Sequence, residues 1–191
     1  MNFGYSIFIM DYTKKKEYIT LALCFAMMIV LVLLDQATKI WIVKVCEPYH
    51  LYKNFFGDLI NIRLVYNTGA AFSLGSDLDG FLHSFVLLIL PIVGLLVLMF
   101  FAIFSKEIST AQRFFIFGIL GGGIGNLIDR LFRPEGVVDF IDVKFFGLFG
   151  LQRWPTFNVA DSVVIIFGLC LFISIIIFEV KQKRQPTSKQ K

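Results

Sequence analysis

The chain has 191 residues, 57% of them apolar, 16% aromatic with Phe alone at 23, and only 17% charged. A soluble domain is about a quarter charged and under half apolar, so this composition excludes a water-soluble globular protein. The formal net charge of +4 does not point to nucleic acid, because no interleaved aromatic and basic pattern accompanies it.

The apolar excess is gathered into long runs. Tyr18–Leu34, Gly80–Ser105, Phe114–Ile128 and Ser162–Phe178 contain no Asp, Glu, Lys or Arg. Crossing the hydrocarbon takes about 20 helical residues, so each run with a turn of flanking sequence is long enough to span. In chain order, the opening MNFGYSIFIM is apolar but too short to span, and lies at the membrane surface or reflects an upstream choice of start. The basic Lys14, Lys15 and Lys16 and the run behind them imitate a signal peptide. The run is longer than an h-region and leads into DQATKIWIVK with no small-x-small cleavage pattern, so a retained helix over 18–43 is expected. An outer segment then reaches Gly80, the second span covers 81–104 with Pro91 bending it, and a tight turn leads to the third span over 112–131. A second outer segment reaches about 157, and the fourth span covers 159–179 before a basic tail, 180–191. The whole chain, 1–191, reads as one integral membrane domain. The outer segments alternate apolar and polar residues, as in NIRLVYNTGAAFS and VVDFIDVKFFGLFG, which predicts short strands lying against the membrane surface. The fold class is therefore an α-helical membrane protein with four transmembrane helices and a small extracytoplasmic β-structure.

The charges set the orientation. Lys14, Lys15, Lys16, Lys106, Arg113, Lys181, Lys183, Arg184, Lys189 and Lys191 all fall on one side of a four-span topology, and positive residues concentrate in cytoplasmic loops, so both termini are expected in the cytoplasm. Anionic-lipid contact by the tail is a weaker addition. Cys24 and Cys170 fall inside spans and Cys46 stands alone, so neither a disulfide framework nor a zinc site is indicated. GGGIGN lies within a span with no preceding strand, so its glycines read as close helix packing and not as a phosphate loop.

Ionisable groups at membrane depth are costly and tend to face the bundle interior. Asp35 lies about 28 Å along the helix from Lys16, at the outer end of the first span, and Lys39 is one turn further on the same face. Asp129 and Arg130 end the third span on that side, and Asp161 begins the fourth, with Asn158 placed to cap it. Asp35 with Lys39 reads as an interfacial pair fixing helix register, Asp129 beside Arg130 as an anchored acid, Asp142 and Glu135 as solvated, and His83 as an interfacial histidine. Asp139 and Asp161 are harder to dismiss. Asp139, in VVDFI, has four apolar neighbours and no basic one, surroundings that raise a carboxyl pKa. Two such acids brought together can share one proton, one acting as base on a water while the other polarises a carbonyl. On spacing alone, an aspartyl dyad and a proton or cation relay in a small transporter both stay open, as does a non-enzymatic scaffold binding lipidated partners.

DQATK at 35–39, YNTGAAFS at 66–73, GGGIGNLIDR at 121–130, VVDFI at 137–141 and FNVADS at 157–162 resemble, in order and in position, the motifs of bacterial lipoprotein signal peptidases (signal peptidase II), aspartic endopeptidases of the cytoplasmic membrane. The resemblance covers about 17 to 180. It implies Asp139 and Asp161 as the catalytic dyad, and places Asp35, Lys39, Asn67, Gly69, Asn126, Asp129, Arg130, Asn158 and Ala160 on positions that bind substrate or support the site. It also implies an outer β-cradle, a diacylglyceryl prolipoprotein as substrate, cleavage on the N-terminal side of the lipidated cysteine, and no metal or organic cofactor. The expected partners are that substrate and membrane lipid, with no nucleic acid, and the chain is expected to act as a monomer. Asn67, Asn126 and Asn158 are expected to hydrogen-bond the substrate backbone, and the Phe-rich loop at 145–149 to close over the site.

Overall fold

The computed structural model describes residues 3–69 and 80–184, with side chains described for 14–69 and 80–181. Positions 70–73 of the YNTGAAFS motif, and Lys189 and Lys191 of the tail, lie outside the described residues. Helix α1 covers Phe3–Val45 and so takes in most of the opening apolar stretch. Strands β1 (Leu51–Phe55) and β2 (Ile60–Asn67) follow. Helix α2 (Gly80–Ser84), a π-helical turn at Phe85–Ile89 and α3 (Leu90–Phe104) run on as one segment. Then come α4 (Thr110–Phe132), β3 (Val137–Val143) and α5 (Val159–Arg184). Among the described residues, four helical segments, Lys14–Val45, Gly80–Phe104, Thr110–Phe132 and Val159–Lys181, are long and apolar enough to cross a membrane. Their exposed surface is apolar, with Leu33, Leu96, Phe104 and Phe172 each more than half exposed, as lipid-facing helices require.

Pro91 stands in the first turn of α3, directly after the π-helical turn. Its ring removes one N–H and crowds the carbonyl four residues back, at Leu87, and the wider turn there accommodates it.

Helix α4 is the packing centre, and its glycines explain why. A Cβ on Gly118 would fall 2.3 Å from the Phe167 ring of α5, one on Gly122 2.5 Å from the Ala160 carbonyl oxygen, and one on Gly123 2.6 Å from Leu95 of α3. A Cβ on Gly125 would fall 2.6 Å from the Asp35 carboxylate of α1. Helix association in lipid gains little from the hydrophobic effect, so backbone approach at small residues supplies the contact. At one end of the bundle, Cys24, Met28, Ala102, Ile116, Phe117 and Leu120 form an apolar core.

The other end carries an antiparallel sheet of order β1-β2-β3. Strand β3 pairs with β2 across the whole α2–α4 excursion, Val65 facing Asp139 and Asn67 facing Val137. Gly136 precedes β3 with φ +110°, and a Cβ there would meet the Asn67 carbonyl oxygen at 2.5 Å, so a side chain is excluded by both conformation and space. β1 is exposed along its length, whereas β3 is buried. Val138 and Phe140 of β3 pack with Ile42 of α1, Cys46 just beyond its end, and Leu64 of β2, fixing the sheet to the bundle end. Its rim is tied by charge: Arg153 Nε donates to Asp142 at 2.5 Å and its Nη1 to Asp58 at 3.1 Å. Asp142 is therefore not solvated as its sequence context suggests. It is buried, with Arg63 Nε 3.0 Å away on its other oxygen. Glu135 is exposed.

Candidate active site

The site forms where α1, α4 and α5 meet β3. Lys39, fully buried, lies at its base, and its ammonium reaches Asp35 Oδ2 at 2.8 Å, Asp129 Oδ2 at 2.9 Å and Asn126 Oδ1 at 2.9 Å. An ammonium has three protons, so its donor capacity is met. A buried charge is tolerated only with this degree of pairing. The i, i+4 relation of Asp35 and Lys39 holds as the sequence suggests, but as a buried three-helix junction and not as an interfacial pair.

Each carboxylate of this junction also captures a backbone group beside one of the two suspected acids. Asp35 Oδ1 accepts from the Ala160 N–H at 2.9 Å, a first-turn amide of α5 with no partner inside its own helix. Asp129 Oδ2 accepts from the Val138 N–H at 3.1 Å, next to Asp139 in β3. Asp129 takes its second cation from Arg133, at 3.1 Å, and not from its neighbour Arg130. Residues four apart share a helix face and adjacent ones do not. Arg130 instead donates to the Gly69 carbonyl at 3.1 Å. Gln36 completes the junction, its amide donating to the Gly125 carbonyl at 3.0 Å and to Asp129 Oδ1 at 3.2 Å.

Above the junction three asparagines hold the acids. Asn158 Nδ2 donates to Asp139 Oδ1 at 2.7 Å, and Asn67 Nδ2 to Asp139 Oδ2 at 3.0 Å. Asn67 reaches it because the two positions are diagonal neighbours across the β2–β3 ladder. Its side-chain Oδ1 accepts from the Gly69 N–H at 2.9 Å, which fixes the amide's orientation. Asn126 Nδ2 donates to Asp161 Oδ1 at 2.7 Å, and Asn126 Oδ1 accepts from Asn158 Nδ2 at 2.9 Å. Asn158 and Asp161 also cap α5 reciprocally: the Asp161 N–H donates to Asn158 Oδ1 at 2.9 Å and the Asn158 N–H to Asp161 Oδ2 at 3.2 Å. All three amides, expected to meet a substrate backbone, hold carboxylates in this structure.

Asp139 and Asp161 line a single cavity of about 350 Å³ with Asn67, Asn126, Arg130 and Trp154. Burial pushes the Asp139 carboxyl up to about 7, the Asp161 charge adding to the effect and the hydrogen bonds from Asn67 and Asn158 opposing it. The wall opposite the helices is Trp154, Pro155, Thr156 and Phe157. The 145–149 loop does not line the cavity: Phe146 and Phe149 are exposed at its tip, and Phe145 stacks 5.0 Å from Trp154 behind the wall. His83 is half-buried and its Nε2 lies 3.1 Å from the Thr68 carbonyl oxygen. Among the described residues, no group of three or more His, Cys, Asp or Glu side chains is arranged to hold a metal ion.

Gln36 and Phe157, though inside quoted motifs, were given no role by sequence, and neither Arg133 nor the rest of the wall at 154–156 was singled out. Arg133 had a usable signal in its i+4 spacing from Asp129, and Gln36 in its place between Asp35 and Lys39. The wall had none, because only the return of the chain to pair Phe157 with Ile141 brings it over the acids.

A helical membrane bundle with a buried and a half-buried acid in one interfacial cavity has known counterparts. The family described as Signal peptidase (SPase) II matches residues 27–178. The lipoprotein signal peptidase of Treponema denticola is 48% identical over 175 residues, covering 92% of this chain and 99% of that protein. That of Borrelia duttonii is 52% identical over 159 residues, covering 83% and 90%. A solved bacterial membrane enzyme, determined by the in meso method at 2.3 Å resolution, superposes with a TM-score of 0.69 at 28% identity, covering 89% of this chain and 94% of its own. The chain belongs to the signal peptidase II family of membrane peptidases.

Proposed function

We propose that this protein is an aspartic endopeptidase that removes the signal peptide from diacylglyceryl-modified prolipoproteins, cutting on the N-terminal side of the lipidated cysteine. The observation that carries the reading is that Asp139 and Asp161, from a strand and a helix end, line one cavity. With Asp139 pushed up to about 7, its carboxyl can carry the proton that the reaction needs near neutral pH. The ionised acid takes a proton from a water as that water attacks the scissile carbonyl carbon. The protonated acid donates a hydrogen bond to the carbonyl oxygen, and collapse of the tetrahedral intermediate passes a proton to the cysteine nitrogen.

Asn67, Asn126 and Asn158 keep the carboxylates aimed, and the Lys39 junction keeps the strand and helix that bear them in register. Arg130 lines the same cavity and supplies a cationic donor to the peptide backbone entering it. A signal peptide is itself a membrane helix, so its cleavage site emerges at the membrane interface while the diacylglyceryl chains stay in lipid beside the bundle. The positive-inside pattern puts the sheet and the acids on the extracytoplasmic side of the bacterial inner membrane.

The test is incubation of the purified protein with a diacylglyceryl prolipoprotein in detergent, read by mass spectrometry. The expected product begins at the lipidated cysteine. Binding without a product would leave a scaffold, and cleavage at another bond would reject the stated specificity.

A further inference from the structure

The end of the bundle away from the sheet carries a second cavity, of about 330 Å³, that peptide cleavage does not use. It is lined by Lys16, Glu17 and Thr20 of α1, Lys106 and Ile108 of the α3–α4 connection, and Thr110 and Arg113 of α4. Three cations and one acid face it. Arg113 is 7% exposed and its groups are unevenly satisfied. Nη2 donates to the Ser105 carbonyl at 2.8 Å and Nη1 lies 3.6 Å from Glu17, but the buried Nε has no hydrogen-bond partner. A buried guanidinium nitrogen without an acceptor is costly, and an anion in the cavity would relieve it. The cavity opens beside the first turn of α4, where the helix dipole also favours negative charge. Ser109 and Gln112 satisfy part of that turn through a capping box.

Position selects the kind of anion. Lys16 and Glu17 directly precede the uncharged run of the first span and Thr110 begins the third, so the cavity lies at the level of lipid headgroups. Apolar side chains lead from it along the helices, with Tyr18, Ile19, Leu23, Phe101 and Phe104 all exposed. We propose that this cavity is a binding site for the phosphodiester of an anionic phospholipid, its acyl chains lying along α1 and α3. Arg113 and the two lysines read the phosphate, and the net positive lining favours an anionic headgroup over a zwitterionic one.

The experiment uses the purified, delipidated full-length chain with dioleoylphosphatidylglycerol, dioleoylphosphatidylcholine or inorganic phosphate, read by native mass spectrometry and by thermal shift. The expected result is one retained phosphatidylglycerol with a raised Tm, and weaker retention of phosphatidylcholine. In the K16Q/K106Q double variant, affinity for phosphatidylglycerol falls by about 25-fold, roughly five-fold for each lysine. Both lysines are exposed, so this variant keeps the wild-type lipid-free Tm and tests the site without disturbing the bundle. R113Q, which also loses the contact to Ser105, serves as the second variant and is expected to lose retention outright. Equal retention of both lipids, or undiminished phosphatidylglycerol binding by K16Q/K106Q, overturns the proposal. Stabilisation by inorganic phosphate equal to that by phosphatidylglycerol assigns the cavity to a free anion and overturns the lipid.

Discussion

Lys39 and Asn126 are joined at 2.9 Å, the ammonium donating to the amide oxygen. That contact decides which way the amide faces. With Oδ1 held by Lys39, Asn126 turns Nδ2 to Asp161 at 2.7 Å, so a cation outside the cavity orients an acid inside it. The same ammonium bridges Asp35 and Asp129, which hold the backbone amides of Ala160 and Val138. Loss of this one charge therefore reaches both acids.

Lys39→Met follows directly. Removing one partner of a buried ion cluster leaves uncompensated carboxylates and costs about 3–5 kcal/mol. Thermal unfolding in detergent is expected to show a much lower Tm, and the folded fraction to cleave slowly. A Tm within a degree or two of wild type would show that Asp35 and Asp129 do not depend on this cation.

Helix α4 offers a paired test of packing. Gly122→Ala and Gly125→Ala each drive a methyl group into a neighbour, the Ala160 carbonyl oxygen at 2.5 Å or the Asp35 carboxylate at 2.6 Å. Overpacking of this kind costs about 1–3 kcal/mol, and it pushes on the α5 end that bears Asp161. Gly94→Ala, with nothing within 4 Å of the added Cβ, is the control. The first two are expected to lower both Tm and turnover, and the third to leave both near wild type.

The pH profile reports on Asp139. Its carboxyl is pushed up to about 7, above an ordinary value of 3.8, so its proton is lost as pH rises through that value and cleavage should fall on the alkaline side. The hydrogen bond from Asn67 favours the ionised form and holds the value down. Asn67→Ala removes it, so the alkaline limb is expected to move to higher pH even as the maximal rate drops. A limb that stays in place, or moves down, contradicts the assigned role of Asn67.

Much of this arrangement was legible in the chain. Uncharged runs located the spans because lipid permits few alternatives, and alternation in NIRLVYN and VVDFIDV located β2 and β3. The glycines of GGGIGN were readable as contact points, though not which partner each one meets. What escaped was pairing at a distance. Asp142 looks solvated in sequence and is buried because Arg63 and Arg153, from β2 and from the segment after β3, converge on it. Asp129 looks paired to its neighbour, whereas helix geometry sends Arg130 into the cavity and brings Arg133 to the acid. The 145–149 loop looks like a lid from its composition, but the chain turns back at Trp154–Phe157 to build the wall instead.

The most direct test of the central claim is cleavage of one diacylglyceryl prolipoprotein by wild type, Asp139→Asn and Asp161→Asn, each first shown to be folded by its thermal transition in detergent. An acid or base positioned at the reacting bond is worth about 10²–10⁴-fold in rate, so each single variant is expected to lose at least that much while still binding substrate. Substantial turnover by either folded variant would contradict a two-aspartate mechanism.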